Sequence, residues 1–259
     1  MPPILHTVAL GIIEGITECL PISSYSHLLI AEKWLGVRSD LFNVTAQLGA
    51  IAAIVMNYRQ RIWRLLTGWH DSGRRQYLLK LVAAFAVTCL LGMVVATYHF
   101  EPTHAMAPIA WALLIGGFCL LAVESLAIKR PRCSDVTWTV AILVGVAQIV
   151  AAIFPGTSRL GATIFAALLF GTNDRVAATE FSFLVGLPTV VAATGYKLLK
   201  EGHSGQVQTD LLSLAIGFMV AFIAAMVAVK WLLNYIRTHP YTIIALYRMT
   251  LGVALLVFM

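Results

Sequence analysis

Charged side chains are scarce in this sequence. Lysine, arginine, aspartate and glutamate make up 12% of 259 residues, whereas apolar residues make up 59%. A water-soluble domain typically carries about twice that share of charge, so the composition excludes an ordinary soluble protein. Four stretches lack these charges entirely and approach the length of a membrane span. They are 81–100, 102–123, 136–158 and 211–229.

Cysteines are few and scattered. Cys19, Cys89, Cys119 and Cys133 show no CxxC spacing, so the sequence indicates neither a disulfide framework nor a zinc site. A basic leader is also missing, because the first lysine or arginine is Lys33. We therefore expect the amino terminus to remain uncleaved.

The net charge of +6 is concentrated in two short segments. Basic clusters beside apolar runs are typical of the cytoplasmic loops of membrane proteins. This explains the charge better than a nucleic-acid-binding patch, so we expect no nucleic-acid partner. The clusters are Arg59, Arg61, Arg64, Arg74, Arg75 and Lys80 in the first segment, and Lys129, Arg130 and Arg132 in the second.

If both basic segments are cytoplasmic, successive apolar stretches must cross the membrane in alternating directions. This predicts six transmembrane helices. They are 41–58, 77–97, 105–127, 178–199, 210–231 and 241–258. Two more apolar stretches, 4–36 and 136–170, are each interrupted by proline and small polar residues. Backbone that breaks at membrane depth must lie inside protein or line a wet cavity, so each is predicted to be a re-entrant helical hairpin. The predicted fold is thus all-α and polytopic, with one membrane domain over 1–259.

The two hairpin sequences resemble each other. A constant shift in numbering superposes several polar and small residues of the first hairpin on those of the second. The pairs are Pro21 on Pro155, Ser23 on Thr157, Ser24 on Ser158, Gly11 on Gly145 and Glu14 on Gln148. This pattern predicts two repeats of opposite topology, about 1–127 and 128–259, with a polar site where they meet. Chance similarity among glycine, serine and proline is the alternative.

Two acids occur in the first hairpin within an apolar run. Glu14 and Glu18 are four residues apart and therefore share one face of a helix. An acid at the centre of a bilayer costs about 2.5–3.5 kcal/mol on insertion scales. The pair therefore requires a cation, a proton or an arginine, unless it is only structural.

Serine and histidine follow the break in the first hairpin. A serine hydroxyl becomes a nucleophile when a base takes its proton, and histidine is suited to that role near neutral pH. Ser24 and His27 lie about one turn apart, so His27 can be the base for Ser24, or it can activate water directly. Alternatively, Ser23 and Ser24 cap the helix that starts there. A helix start also offers free N–H groups to an anion.

The break in the second hairpin is typical of an anion site. Gly156 lets backbone come close to a ligand, Thr157 and Ser158 offer hydroxyls, and Arg159 presents a planar fork that matches phosphate oxygens. The alternative is that Arg159 only neutralises the acids of the first hairpin.

Arg248 lies in the last predicted span, where no acid is near in sequence. Because an unpaired guanidinium is costly there, we expect it to face the helix bundle. Three roles remain open. It can bond backbone carbonyls at a broken helix, pair with an acid such as Glu180, or support the catalytic carboxylates.

With these residues identified, a family resemblance emerges. The run from Glu14 to His27, EGITECLPISSYSH, resembles the EGxTExLPxSSxxH motif of the undecaprenyl-diphosphate phosphatase family, also called BacA or UppP. The run from Pro155 to Thr163, PGTSRLGAT, resembles the family's PGxSRSxxT motif. Shorter matches spread the resemblance over the whole chain: Gln47-Leu48-Gly49, Phe181-Ser182-Phe183-Leu184 with Pro188, and Tyr247-Arg248.

Two departures from the family motifs concern the surroundings of the proposed site. Tyr25 and Ser26 stand where the family usually has threonine and glycine, and Leu160 replaces a serine. The first change can alter the pocket, and the second removes one phosphate contact. They bear on the choice of prenyl chain more than on diphosphate hydrolysis.

The resemblance implies hydrolysis of undecaprenyl diphosphate to the monophosphate, which recycles the lipid carrier of cell-wall precursors in the bacterial inner membrane. It also implies a cleft open to the outer face and a divalent cation, Mg²⁺ or Ca²⁺, which we place on Glu14 and Glu18. Matching residue by residue gives the catalytic set Glu14, Glu18, Ser24, His27 and Arg159, with Ser158 and Thr163 as further polar positions. Ser23, Gly156 and Thr157 are further candidate phosphate contacts, because they stand at the two hairpin breaks beside these residues.

Two alternatives to this function remain. The substrate can be another prenyl or lipid diphosphate, or the protein can be a lipid-phosphate transporter, since transporters also use inverted repeats with broken helices. The expected partners are the polyprenyl diphosphate and membrane lipids. Whether the chain forms a homo-oligomer is left open.

Overall fold

The computed structural model describes residues 4–98, 105–127, 133–202 and 210–258, and every regular element in these ranges is an α-helix. There are ten such helices. They are α1 (Ile4–Glu18), α2 (Ser24–Leu35), α3 (Asp40–Thr67), α4 (Ser72–Thr97), α5 (Met106–Ala127), α6 (Trp138–Ile153), α7 (Arg159–Phe170), α8 (Arg175–Gly202), α9 (Leu211–Thr238) and α10 (Thr242–Phe258).

Five of the described helices, α3, α4, α5, α8 and α9, are long and apolar enough to cross a membrane. The chain is therefore a polytopic membrane protein. Each of the six predicted spans overlaps one of the described helices, but α10, with 17 residues, is shorter than the five. The predicted basic cluster at Lys129, Arg130 and Arg132 lies outside the described residues.

Both predicted hairpins form as two helices joined by a short turn. The first breaks after Glu18 and resumes at Ser24, and the second breaks after Ile153 and resumes at Arg159. Each turn contains one residue with left-handed backbone: Gly156 at φ 93° in the second and Ser23 at φ 76° in the first. Because a side chain is rarely tolerated in that conformation, the first turn depends on the contacts around it.

Side-chain caps fix where several helices begin. Ser39, Asp71, Thr137 and Asp210 each accept a hydrogen bond from a backbone N–H in the first turn of the helix that follows. At Asp71, the N–H groups of Arg74 and Gly73 also hold the pKa of the carboxyl below its ordinary value. These caps satisfy N–H groups that have no partner within the helix.

Each hairpin packs tightly against a long helix of the other half of the chain. A Cβ on Gly15 of α1 would lie 2.4 Å from the carbonyl oxygen of Ala221 in α9, and one on Gly145 of α6 would lie 2.6 Å from that of Ala84 in α4. Only glycine permits so close an approach of two helix backbones. Each hairpin is thus held by a helix of the other half, and the two hairpin turns meet at the Glu18–Arg159 ion pair.

Candidate active site

A cavity of about 640 Å³ lies where the two hairpin turns meet α3, α4 and α8. Six of the predicted site residues line it: Glu18, Ser23, Ser24, Thr157, Ser158 and Arg159. Most of the remaining wall is apolar, with Phe85, Ile149 and Val190 as examples. The cavity therefore combines a small polar group with an apolar volume suited to a hydrocarbon chain.

Glu18 is the centre of the polar group. One of its carboxylate oxygens, Oε2, accepts a hydrogen bond from the Ser24 hydroxyl at 2.7 Å. The other, Oε1, accepts from the side-chain amide of Gln47 at 3.3 Å and forms an ion pair with Arg159. The two hairpins are thus joined by a nearly buried ion pair, since the Glu18 and Arg159 side chains are only 7% and 25% exposed.

Glu14 lies one helical turn before Glu18 and is buried. It does not line the cavity, and its Oε2 atom has no hydrogen-bond partner within the part of the chain that the structure describes. A buried carboxylate oxygen without a partner is costly unless a proton or a cation satisfies it. Of the two acids, Glu18 is the one that the structure pairs with an arginine, Arg159.

His27 is placed differently from the expected pairing with Ser24. Its Nδ1 atom lies 2.7 Å from the carbonyl oxygen of Ser23, and its Nε2 atom lies 2.7 Å from the Tyr247 hydroxyl. Since a carbonyl can only accept, Nδ1 carries the proton, and in the neutral ring Nε2 accepts from the tyrosine. The structure therefore gives Ser24 a carboxylate neighbour, Glu18, and uses His27 to hold the carbonyl of Ser23.

The start of α7 is organised around Arg159. Ser158 caps the helix by accepting a hydrogen bond from Gly161 N at 3.1 Å, whereas Ser23 makes no side-chain cap for α2. Thr163 is buried and donates to the carbonyl oxygen of Arg159 at 3.0 Å. These bonds fix the first turn of α7 and the direction in which Arg159 leaves it.

The structure shows why position 156 requires glycine, which the sequence alone does not explain. A Cβ at this position would lie 2.7 Å from the carbonyl oxygen of Ile109 in α5. The left-handed backbone and this close approach both require glycine. Gly156 therefore seats the second turn against α5, and Thr157 is the neighbour that lines the cavity.

The structure shows where the residues that depart from the family motifs lie. Ser26 is buried and its hydroxyl lies 2.9 Å from that of Ser23, so the added hydroxyl is bonded within the first turn. Tyr25 and Leu160 both line the cavity. They shape its wall without replacing the polar group around Glu18.

Arg248 is 2% exposed and bonds backbone carbonyls, as one of the sequence-based roles required. It donates to the carbonyl oxygen of Pro21 at 2.8 Å and to that of Ala112 at 3.5 Å. The alternative pairing with Glu180 is wrong, because Glu180 pairs with Arg61 at 2.8 Å. Arg248 thus connects α10 to the first hairpin turn through the carbonyl of Pro21.

Two further contributors escaped the sequence reasoning. Gln47 bonds Glu18 and Tyr247 bonds His27, whereas the sequence offers both residues only as parts of family matches. Gln148, which the repeat matches to Glu14, donates to the Thr88 hydroxyl at 2.8 Å on the cavity wall, and this partner was not predicted. A lone amide or hydroxyl in an apolar run gives no local sign of its partner.

The fold and the cavity define an integral membrane protein in which two broken helical hairpins bring a carboxylate, a serine hydroxyl and an arginine together beside an apolar volume. Comparison with known proteins identifies the family of this membrane protein. The family model described as bacitracin resistance protein BacA matches residues 7–254. The chain belongs to this family.

Relatives of nearly the same length support the assignment. A protein of Rhizobium etli is 54% identical over 253 residues, covering 97% of this chain and 96% of the relative. One of Xanthomonas euvesicatoria pv. vesicatoria is 49% identical over 260 residues, covering 100% and 98%. Both relatives are named undecaprenyl-diphosphatase.

Proposed function

We propose that the chain hydrolyses undecaprenyl diphosphate to the monophosphate and inorganic phosphate. The observation that carries this proposal is the convergence of Ser24 and Arg159, from different hairpins, on Glu18 inside a largely apolar cavity. The activity named for the relatives is the one this chemistry supports. It returns the lipid carrier to cell-wall precursor synthesis, and the family description connects it with bacitracin resistance.

In the proposed mechanism, Arg159 and the amino-terminal end of α7 bind the terminal phosphate, and the prenyl chain occupies the apolar part of the cavity. The Ser24 oxygen attacks the terminal phosphorus while Glu18 accepts its proton. The bond from phosphorus to the bridging oxygen breaks, and the prenyl monophosphate leaves. Water then releases phosphate from the serine. A route in which His27 is the base requires its ring to leave Tyr247.

A divalent cation, Mg²⁺ or Ca²⁺, fits the two carboxylates as part of this proposal. The described residues hold no group of three or more histidine, cysteine or acidic side chains. Magnesium is commonly held by one or two carboxylates together with substrate phosphates. Glu14 lies one turn before Glu18 on α1, and no described residue bonds its Oε2 atom. The cation, when bound, would offset the charge of the diphosphate.

Removal of the cation is expected to abolish turnover. Chelator should stop phosphate release from purified protein, and added Mg²⁺ or Ca²⁺ should restore it. In a direct metal-binding titration, which does not depend on turnover, the Glu14→Gln, Glu18→Gln double variant should no longer bind Mg²⁺ or Ca²⁺. Glu124→Gln, which alters a buried acid outside the cavity, should bind them normally. A metal titration that is unchanged in the double variant would place the cation elsewhere.

The membrane arrangement proposed here has six spans and two re-entrant hairpins in the bacterial inner membrane, with the cavity open to the outer side. It is supported by the helix bounds and by the basic residues at the α3–α4 end. The prenyl diphosphate substrate would reach the cavity from the lipid.

The exposed Cys133 is a natural reporter of this orientation. It precedes α6 at the end of the molecule placed in the cytoplasm, so an impermeant maleimide should label it only after the membrane is opened. Val37→Cys in a Cys133→Ser background, between α2 and α3, should label in intact cells. Labelling of Cys133 from outside would reverse the proposed orientation.

The activity is tested by phosphate release from prenyl diphosphates of several chain lengths with detergent-purified protein. Release from the undecaprenyl compound supports the proposal. Faster release from a different lipid diphosphate would change the substrate, and binding without release would favour a transporter.

A further inference from the structure

A second cavity, of about 490 Å³, lies on the α5 side of the second hairpin turn. Its lining residues are mostly apolar, and Arg248 and Thr157 are among the few polar ones. The Arg248 guanidinium lies directly beside Gly116, which also lines this cavity. Thr157 also lines the catalytic cavity, so the two cavities meet at this turn. The mechanism above leaves the second cavity without a role.

Arg248 brings an uncompensated charge to this cavity. None of the ion pairs found between described residues includes it. Its hydrogen bonds reach two neutral carbonyls, one of them at 3.5 Å, and no described residue bonds its Nε atom. Arg248 is 2% exposed, and its hydrogen-bond acceptors among the described residues are neutral. Such a guanidinium is costly to bury, so an anion in the cavity would stabilise it.

The surroundings indicate what kind of molecule carries the anion. Trp111, Ile115 and Phe154 line the cavity, and each is more than half exposed on the surface that would contact lipid. A free ion would gain nothing from this apolar rim, whereas a lipid can place its headgroup by Arg248 and its chain along α5. The volume falls within the ordinary range of ligand pockets.

We propose that this cavity is a second lipid site, which binds the phosphate headgroup of a membrane lipid through Arg248. Charge-assisted hydrogen bonds from guanidinium to phosphate are among the stronger polar contacts in proteins. The proposal goes beyond hydrolysis in the catalytic cavity, and its test requires binding but no turnover. If the chain does not catalyse the proposed reaction, the proposal of a second lipid site is unaffected.

Native mass spectrometry of the detergent-purified full chain can count bound lipids. With undecaprenyl monophosphate we expect two molecules per chain in the wild type. Ile115→Trp should fill the mouth of the second cavity and weaken one of the two sites about tenfold or more. The matched control Ile142→Trp, at an exposed position of α6 outside this cavity, should keep both.

Three further ligands identify what the site recognises. Undecaprenol, which lacks the phosphate, should bind the second site about tenfold more weakly than the monophosphate. Stronger binding of phosphatidylglycerol than of the monophosphate would assign the site to bilayer phospholipid, and displacement by inorganic phosphate alone would overturn the need for a lipid. One bound lipid in the wild type, two in Ile115→Trp, or equal affinity for undecaprenol would each overturn the proposal.

Discussion

Replacement of Arg159 with alanine is expected to lower turnover by about 10²–10³-fold, the loss typical of one electrostatic contact to a developing charge. The variant loses the planar fork that would hold the terminal phosphate. It also leaves Glu18 buried without its cation, and removal of one partner from a buried pair destabilises soluble proteins by about 3–5 kcal/mol. Phosphate release and thermal unfolding in detergent should therefore both change.

A second ion pair in the chain separates the two effects. Arg175 pairs with Glu124, and these side chains are 25% and 5% exposed, nearly the same as Arg159 and Glu18. Arg175→Ala should thus lower the unfolding temperature to a similar degree, but turnover per folded molecule should stay near that of the wild type. Equal loss of turnover in both variants would assign Arg159 a structural role only.

The fold was largely predictable because lipid imposes a simple rule on sequence. Apolar stretches of sufficient length mark helices, and proline with small polar residues marks the two breaks. The ends were less predictable. The span predicted to end at 58 continues to Thr67 as α3, because charges at Arg59, Arg61 and Arg64 end the apolar stretch without ending the helix. The span predicted to end at 231 likewise continues to Thr238 as α9, past the charges of Lys230 and Arg237.

The polar group was predictable where its members share a motif. Glu18 and Ser24 are six residues apart, so one turn brings them together, and an unpaired arginine in the other hairpin suggested the ion pair. The partner of His27 was not predictable. Tyr247 approaches from α10, 220 residues away, and only the packing of α10 beside the first hairpin decides that contact. The contact between Gln47 and Glu18 likewise depends on how α3 packs beside the first hairpin.

Ser24→Ala is the substitution expected to have the largest effect. If the Ser24 oxygen is the nucleophile, its removal should reduce turnover on the order of 10³-fold or more, as loss of a nucleophile does in serine hydrolases. The structure prepares Ser24 for this role, because its hydroxyl already donates to Glu18 at 2.7 Å. Ser26→Ala is the matched control, since it removes a buried hydroxyl two residues further on that does not line the cavity.

A trapped intermediate distinguishes serine attack from water attack. When substrate with a radioactive terminal phosphate is mixed with enzyme and quenched in acid, wild type and Ser26→Ala should retain label on the peptide that contains Ser24, and Ser24→Ala should retain none. The phosphoserine is acid-stable, whereas a phosphohistidine is not, so the same quench would discard label held by His27. Unlabelled wild-type protein together with substantial turnover in Ser24→Ala would remove Ser24 as the nucleophile. The reaction would then proceed by direct attack of water, with Glu18 as the base nearest to the phosphate and Ser24 reduced to a hydrogen-bond donor.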